Sequence, residues 1–335
     1  MQSSRPIIVK IAKESDELNW NSYLLKKKLT VPISLFQLQF VVKNIFFFQK
    51  PIFFVAKDKR GNIKGLCSCF LVKSFSGKKK LYSSRFGFNA DNNLIAKLIF
   101  NYIRDYCSEN KIPEFVCTSG FQNFNINSEK YYKISMIMEL KKDYEFFWKN
   151  LRAKTRNAIR KSEKFNFYIS SNKIHLNQFY NIYKKNMLKK DVDVLPFQFF
   201  SKLIKLYGDH AQLYSVLDTS GKYLGSLILI KGKRIAQYTF ASTIKNSKNA
   251  MHFLLSEVIK LLYRDGIDFF DMSESTREGG VYLFKRYFGA SEKKVYYYST
   301  LKRTTEKKLT SKKIDRNLIK QFFVKKIKNQ FTRIV

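Results

Sequence analysis

Three arginines recur at helical spacing near the middle of the chain. Arg152, Arg156 and Arg160 lie at i, i+4 and i+8 in the stretch NLRAKTRNAIRKSEK, so an α-helix stacks their guanidinium groups along one side. Like charges at this spacing repel by roughly 0.2–0.5 kcal/mol per pair, which costs stability unless an anion neutralises them. A guanidinium fork suits a phosphate or a carboxylate. The spacing therefore predicts either an anion-binding helix face or a solvated basic face.

The short, mostly apolar stretch IDFFDMS, residues 267–273, predicts a buried strand. Asp271 and Glu274 lie at its end, where a carboxylate can point into a cleft and accept a proton. An aspartate in this place also commonly caps the next helix. The pattern leaves both roles open, a general base or a cap.

Residue types that ligate metals are sparse. Three histidines and four cysteines occur without the close spacing typical of metal sites, so we predict no metal. Cys67 and Cys69 form a C-x-C on one face of a predicted strand, and we interpret all four cysteines as buried, reduced thiols. His252, inside an apolar helix, is interpreted as a core histidine.

The charge balance indicates an anionic partner. Sixty-three Lys and Arg against 26 Asp and Glu give a formal net charge of +37. Such a surface attracts nucleic acid, an anionic membrane, a phosphorylated substrate or an acidic carrier protein. Lys, Asn, Ile, Phe and Tyr are also abundant, as in AT-rich genomes, so part of the charge is compositional background. We see neither a signal peptide nor an apolar run of about 18 residues, and expect a cytoplasmic protein.

Strand and helix patterns alternate along both halves. The first half carries a hairpin, PIFFVAKD and IKGLCSCFLVK, then the strand LYSSRFGF and the helix NNLIAKLIFNYIRDYCSEN. The second half carries three strands, the helix NAMHFLLSEVIKLLYRDG and the strand IDFFDMS. Interleaved helices and strands predict a mixed α/β fold around a central sheet.

These patterns predict three parts: a first domain at 1–140, a second at 141–301 and a basic helical tail at 302–335. The tail has twelve basic and two acidic residues, and its apolar residues recur at helical spacing. Such a helix can lie on an anionic membrane or pack its apolar stripe on the first domain.

The second half resembles a known family. NLRAKTRNAIRKSEKFNFYIS resembles the segment that opens the second domain of FemABX proteins. YTFASTIKN, DGIDFFDMS and EGGVYLFKRYFGA are similar to the C-terminal signature of that family and of FemAB-like acyltransferase domains from exopolysaccharide and capsule clusters. The Phe-Lys-x-x-Phe-Gly pattern at 284–289 is the most specific piece. The likeness covers residues 145–300, and the first half shares only the order of elements.

The resemblance implies tandem GNAT-like domains, each with a central, mostly antiparallel sheet flanked by helices. It implies transfer of an acyl or aminoacyl group to an amine of a phosphorylated cell-envelope precursor, either a peptidoglycan intermediate or an amino sugar of a surface polysaccharide. It implies no bound cofactor. The donor is a co-substrate and stays open among aminoacyl-tRNA, acyl-CoA and acyl carrier protein.

The resemblance also implies roles for individual residues. Lys285 and Arg156 would hold the precursor's phosphates or the reacting carbonyl, with Phe284 lining the site. A substrate-binding tyrosine on the strand before the long helix would correspond to Tyr238. Lys43 is the phosphate contact expected from the first domain. Peripheral contact with an anionic membrane is a further expectation.

Amide formation needs aligned substrates, a cation or N–H donor for the developing oxyanion, and a base. Lys285 can supply that cation or grip a phosphate. We expect it to share a pocket with the arginines of 152–160, with Asp271 or Glu274 as the base.

The turn before the long helix, TIKNSKNA, lacks the glycine that lets backbone amides approach a pyrophosphate. Lys245 and Lys248 can compensate by charge, so acetyl-CoA is disfavoured as donor but stays open. Two alternatives follow: an acetyl-CoA-dependent N-acetyltransferase acting on a nucleotide sugar, or a non-catalytic protein of the same fold that binds nucleic acid or anionic membrane.

Overall fold

The structure, a computed structural model, describes residues 6–43, 45, 49–73 and 77–301. The predicted tail at 302–335 lies outside the described residues. Within them, no helix is long and apolar enough to cross a membrane.

The first half of the described chain forms β1 (Ile8–Ile11), α1 (Glu17–Lys26), α2 (Leu38–Val42), β2 (Gln49–Lys57), β3 (Ile63–Lys73), β4 (Lys79–Ala90), α3 (Asn93–Glu109), β5 (Glu114–Gly120) and β6 (Glu129–Glu139). The second half forms α4 (Tyr144–Asn150), α5 (Ala153–Glu163), β7 (Tyr168–Ser170), α6 (Leu176–Lys189), α7 (Phe197–Tyr207), β8 (Ala211–Leu217), β9 (Tyr223–Lys231), β10 (Ile235–Thr243), α8 (Ala250–Arg264), β11 (Phe269–Glu274), α9 (Gly280–Tyr287) and β12 (Ser291–Ser299).

All twelve strands belong to one continuous sheet, in the order β1-β2-β3-β4-β5-β12-β6-β11-β10-β9-β8-β7. In the described sheet, β4 with β5 and β10 with β11 run parallel, and the other neighbours run antiparallel. The mixed α/β class with a mostly antiparallel sheet is therefore confirmed.

The strand order is symmetric about the centre of the sheet because the two halves repeat one arrangement. In each half a first strand is followed by two helices, a three-stranded meander, a long helix and a strand parallel to the meander's last strand. The final strands are exchanged between the halves. β12 pairs with β5 of the first half, and β6 pairs with β11 of the second.

Each parallel pair stays together only briefly. β10 and β11 pair from Ile235 opposite Phe269 to Gln237 opposite Asp271, and β4 and β5 pair over three positions that end at Tyr82 opposite Val116. Beyond these positions the strands diverge. The divergence opens a gap in the sheet of each half, and Asp271 lies where the second gap begins.

The helices cover the sheet in two layers. On one face, α1 and α2 from the first half and α6 and α7 from the second share a single aromatic core, with Trp20 and Phe200 at its centre. On the other face, α3 covers the first half and α5, α8 and α9 cover the second. The cysteines, which are Cys67, Cys69, Cys107 and Cys117, lie under or on α3 as buried free thiols, as predicted.

Because β6 and β12 are exchanged, we predict that neither half folds stably without the strand that the other half contributes. A fragment of residues 1–140 contains β6 but neither of its partners, whereas residues 1–128 joined to 290–301 supply β12 beside β5. We expect the joined fragment to unfold more cooperatively in urea, measured by circular dichroism, because Tyr298 fills the core beside Phe124. Equal or greater cooperativity in the fragment 1–140 would contradict the role of the exchange.

Candidate functional site

A buried carboxylate lies at the start of the gap between β10 and β11. Asp271 is fully buried, and its oxygens accept four hydrogen bonds: from Ser135 Oγ at 2.6 Å, Ser273 N at 2.9 Å, Gln237 Nε2 at 3.0 Å and Arg85 Nη2 at 3.1 Å. A buried carboxylate is stable only when paired and hydrogen-bonded in this way. Since no solvent reaches it and four donors surround it, Asp271 holds its neighbours in place. The structure does not give Asp271 the open position that a proton acceptor for substrate needs.

Arg85 of β4 is, with Ser135 of β6, a contact that the first half of the chain makes in this network. Its Nη2 also donates to Ser135 Oγ at 2.9 Å, and its side chain keeps 21% of its surface exposed. β4 leaves its regular pairing with β3 around this point, and Phe86 adopts a left-handed conformation with φ of 57°. Arg85 lies in this irregular stretch of β4, and its guanidinium contacts β6 and β11. Sequence reasoning missed Arg85, although an arginine inside an otherwise apolar strand pattern was a usable signal.

The end of β11 is bent by Ser273, a non-glycine residue with φ of 68°. Its N–H donates to Asp271, and its hydroxyl donates to the carbonyl of Tyr238 at 2.8 Å. Left-handed backbone at such a residue persists only when the surroundings fix it, and it recurs at functional sites. The two hydrogen bonds provide that fixation.

Lys285 reaches this bend from α9. Its Nζ donates to Ser275 Oγ at 2.8 Å and to the carbonyls of Ser273 at 3.1 Å and Glu274 at 3.3 Å. Burial, together with the nearby charge of Arg85, lowers the pKa of Lys285 to about 8, although the carboxylates of Asp271 and Glu274 favour its charged form. Lys285 is thus a buried amine that titrates close to physiological pH.

Glu274 is the more accessible of the two predicted carboxylates. Its Oε1 accepts a hydrogen bond from the Tyr297 hydroxyl at 2.7 Å, and its Oε2 lies 3.8 Å from Lys133 Nζ. The Glu274 side chain keeps 26% of its surface exposed. Burial and the charge of Glu274 raise the pKa of Tyr297 far above its ordinary value, so the phenol remains a donor. The ring of Tyr297 stacks on Tyr131, with centroids 5.0 Å apart.

Phe284 lies next to Lys285 in sequence and packs against the start of α8. Its ring contacts His252, with centroids 5.2 Å apart, and Phe288, at 5.1 Å. Burial lowers the pKa of His252, which is partly buried among these rings as predicted for a core histidine. Phe284 therefore forms part of the wall between α8 and α9.

Tyr238 and the turn before α8 border the same gap. Tyr238 is partly buried, and burial raises its pKa. Lys245 and Lys248 are both exposed, and Lys248 Nζ lies 4.7 Å from the centroid of the Phe165 ring. Asn246, Lys248 and Asn249 all adopt positive φ. The turn thus takes left-handed conformations that glycine usually supplies, although it contains none.

The three arginines of the basic helix do not meet Lys285. Arg152 lies over the Tyr287 ring at 4.2 Å, and Arg160 lies over Trp148 at 5.6 Å. Arg156 Nη1 donates to the carbonyls of Lys149, at 3.0 Å, and Leu151.

The last carbonyls of a helix have no hydrogen-bond donor within the helix. Arg156 supplies that donor to carbonyls at the end of α4. Among the described contacts, none joins any of the three arginines to Lys285, and the shared pocket stays a prediction. Arg152 and Arg286 instead line a shallow surface depression of about 470 Å³.

Lys43 lies elsewhere on the molecule. It is exposed at the end of α2, and its carbonyl accepts a hydrogen bond from Lys202 of α7 at 3.2 Å. The structure thus places Phe284, Lys285, Asp271 and Glu274 at one end of β11, with Tyr238 beside them. Lys43 belongs to the contact between the halves.

Comparisons with known proteins place this fold. No protein-family model and no curated protein match the sequence. Among solved structures, FemX superposes with a TM-score of 0.68 at 11% identity, covering 86% of this chain and 96% of its own. L-PGS from Bacillus licheniformis gives 0.60 at 10% identity, covering 93% and 98%. A tandem GNAT protein from the clavulanic acid biosynthesis pathway gives 0.55 at 6% identity, covering 89% and 100%. The predicted tandem GNAT-like fold is confirmed.

Because the Asp271 carboxylate is buried and accepts four hydrogen bonds, we predict that the substitution Asp271→Asn strongly destabilises the fold. An asparagine keeps one acceptor oxygen and turns an NH₂ group toward donors, leaving Arg85 without its buried counter-charge. We expect the free energy of unfolding, measured in urea, to fall by about 3–5 kcal/mol.

The matched control is Asp268→Asn, whose partner Arg234 forms an exposed ion pair on the neighbouring strand. That change should cost less than about 1 kcal/mol. Similar small losses in both variants would show that the Asp271 network does not stabilise the fold.

Proposed function

We propose that this chain, which has the tandem GNAT fold seen in FemX, transfers an acyl or aminoacyl group to an amine of a cell-envelope precursor. The observation that carries the proposal is Lys285, a buried amine at the end of β11 in the second half, next to the partly exposed Glu274. The sequence resemblance to FemABX proteins, which covers the same segment, supports aminoacyl transfer in particular. The acceptor we favour is a phosphorylated peptidoglycan intermediate or amino sugar of a surface polysaccharide.

The proposed reaction is an aminolysis. The acceptor nitrogen attacks the carbonyl carbon of an ester or thioester, the new C–N bond forms, and the C–O or C–S bond breaks. Lys285 as an ammonium stabilises the oxyanion that develops on the carbonyl oxygen. Glu274, partly exposed and 3.8 Å from Lys133, accepts the proton that the amine loses and returns it to the departing oxygen or sulfur, so that the carboxylate is regenerated.

The donor would enter beside α8, where Phe284 forms the wall and Lys245 and Lys248 offer charge from the turn. Arg152 is the proposed phosphate contact of the basic helix, because its guanidinium stays exposed next to Arg286. Arg156 is assigned instead to holding the end of α4. The formal charge of +37 supports tRNA or an acidic carrier as donor vehicle, and peripheral contact with the anionic inner face of a membrane.

Lys285→Met tests the proposal directly. Radiolabelled aminoacyl-tRNA and acetyl-CoA would serve as donors, and UDP-linked muropeptide and amino-sugar nucleotides as acceptors, with amide-linked label counted. Removing the cation should lower kcat by about 10²–10³-fold, the range found when a single oxyanion donor is lost.

Arg156→Ala is the matched control, since it removes a neighbouring cation that binds backbone carbonyls. Its kcat should stay within about threefold of the unchanged protein. Amide formation that survives Lys285→Met would remove Lys285 from the reaction, and a lack of amide formation with every donor would remove the proposed function.

The role of Lys285 as a cation also predicts the pH dependence. Its pKa is about 8, so the ammonium form predominates below that pH and disappears above it. We expect kcat to fall as pH rises through about 8, and Lys285→Arg to shift the fall beyond pH 10 because guanidinium stays charged. A rate that instead rises through pH 8, with the rise lost in Lys285→Arg, would show that Lys285 works as a base.

A further inference from the structure

Besides Ser135 and Lys133 of the exchanged strand β6, the first half of the chain contributes Arg85 to the proposed site. Arg85 belongs to β4, yet its Nη2 donates to Asp271 of β11 and to Ser135 of β6. Three strands, β5, β12 and β6, separate β4 from β11 in the sheet. Arg85 lies where β4 leaves its regular pairing with β3, and from there its guanidinium contacts both β6 and β11.

A short series of contacts continues from Arg85 to Lys285. Asp271 accepts the N–H of Ser273 at 2.9 Å, which helps to hold the left-handed bend at the end of β11. The bend presents the carbonyls of Ser273 and Glu274 to Lys285 Nζ, at 3.1 and 3.3 Å. Each member of the series thus fixes the next: the arginine, the carboxylate, the bend and the amine.

The way in which Arg85 is bonded argues against a purely stabilising role. Its Nε is buried without a hydrogen-bond partner, while Nη2 is shared between two acceptors. An arginine placed only for stability would pair both parts of its fork, since a buried unpaired donor costs free energy. Arg85 instead donates from Nη2 to Asp271 and Ser135, while its guanidinium lies 5.1 Å from the centroid of the Phe86 ring.

The charges around Lys285 come from several elements. Asp271 and Glu274 of β11 favour its ammonium form, and Arg85 of β4 disfavours it. Behind Glu274 lie Lys133 of β6 and Tyr297 of β12. Arg85 is thus the described cation that acts on Lys285 from the first half, both by charge and through the bend.

We propose that Arg85 is a positioning residue that fixes Lys285, through Asp271 and Ser273, so that the catalytic amine is set only when the two halves are docked. This inference rests on the proposed function for the role of Lys285. It adds that the first half takes part in the reaction by shaping the site in the second half.

The test is competitive labelling of the whole protein with trace acetic anhydride between pH 6 and 11. Free phenylalanine serves as the standard, and mass spectrometry reads the peptide that contains Lys285. The unchanged protein should give a labelling midpoint near pH 8. In Arg85→Gln the midpoint should rise by about one pH unit or more, which means about tenfold less neutral amine at pH 7.

Two further variants keep the test decisive. Arg234→Gln removes an exposed arginine from an ion pair with Asp268, away from Lys285, and should leave the midpoint unchanged. If Arg85→Gln does not fold, Arg85→Lys retains the charge but not the fork, and should give a smaller rise. An unchanged midpoint in folded Arg85 variants would overturn the proposal.

The labelling needs no substrate, so it separates this inference from the proposed function. Amide formation with an unshifted midpoint would leave the function standing and remove the role of Arg85. A shifted midpoint in a protein that transfers nothing would keep the positioning contact and remove the transferase.

Discussion

The buried ion pair between Arg85 and Asp271 is the contact on which the rest of the site depends. Taking a carboxylate out of water costs several kcal/mol, and only a complete set of donors offsets that cost. Here the donors come from β4, β6, β10 and the bend at the end of β11. Any rearrangement that moves one of these elements leaves a charge uncompensated. The carboxylate therefore fixes four backbone segments relative to one another.

The sheet explains why such a contact between the halves is possible. Exchange of β6 and β12 makes the halves share one continuous sheet, and the core on one face is built from helices of both. Ser135, on the exchanged strand β6, therefore lies next to Asp271 while belonging to the first half in sequence. A site at the junction can draw on residues that are far apart in the chain without needing a mobile hinge.

Much of this could be predicted from the sequence. Alternating strand and helix patterns and the FemABX resemblance predicted the fold class, whereas the role of the Phe-Lys pair on α9 stays a prediction. The surroundings of Arg152, Arg156 and Arg160 could not be predicted, because their spacing shows which helix face they share but not what packs there. Trp148, Tyr287 and the carbonyls at the end of α4 occupy those positions.

Arg85 and the strand exchange were beyond sequence reasoning for a related reason. Both depend on long-range pairing, and β6 and β12 have local patterns that would suit several neighbours equally well. Asp271 was recognised as a candidate, but the four donors around it, which make it a structural carboxylate, come from positions up to 186 residues away.

The central claim is that the Lys285 ammonium faces the carbonyl oxygen that becomes negatively charged during transfer. A crystal structure with an aminoacyl phosphonate, whose tetrahedral oxygens imitate that intermediate, would test it most directly. We predict a phosphonyl oxygen about 3 Å from Lys285 Nζ, with the organic group lying along Phe284. A phosphonate bound instead at Arg152 and Arg286, with Lys285 Nζ still bonded to Ser275 Oγ and to the carbonyls of Ser273 and Glu274, would contradict it.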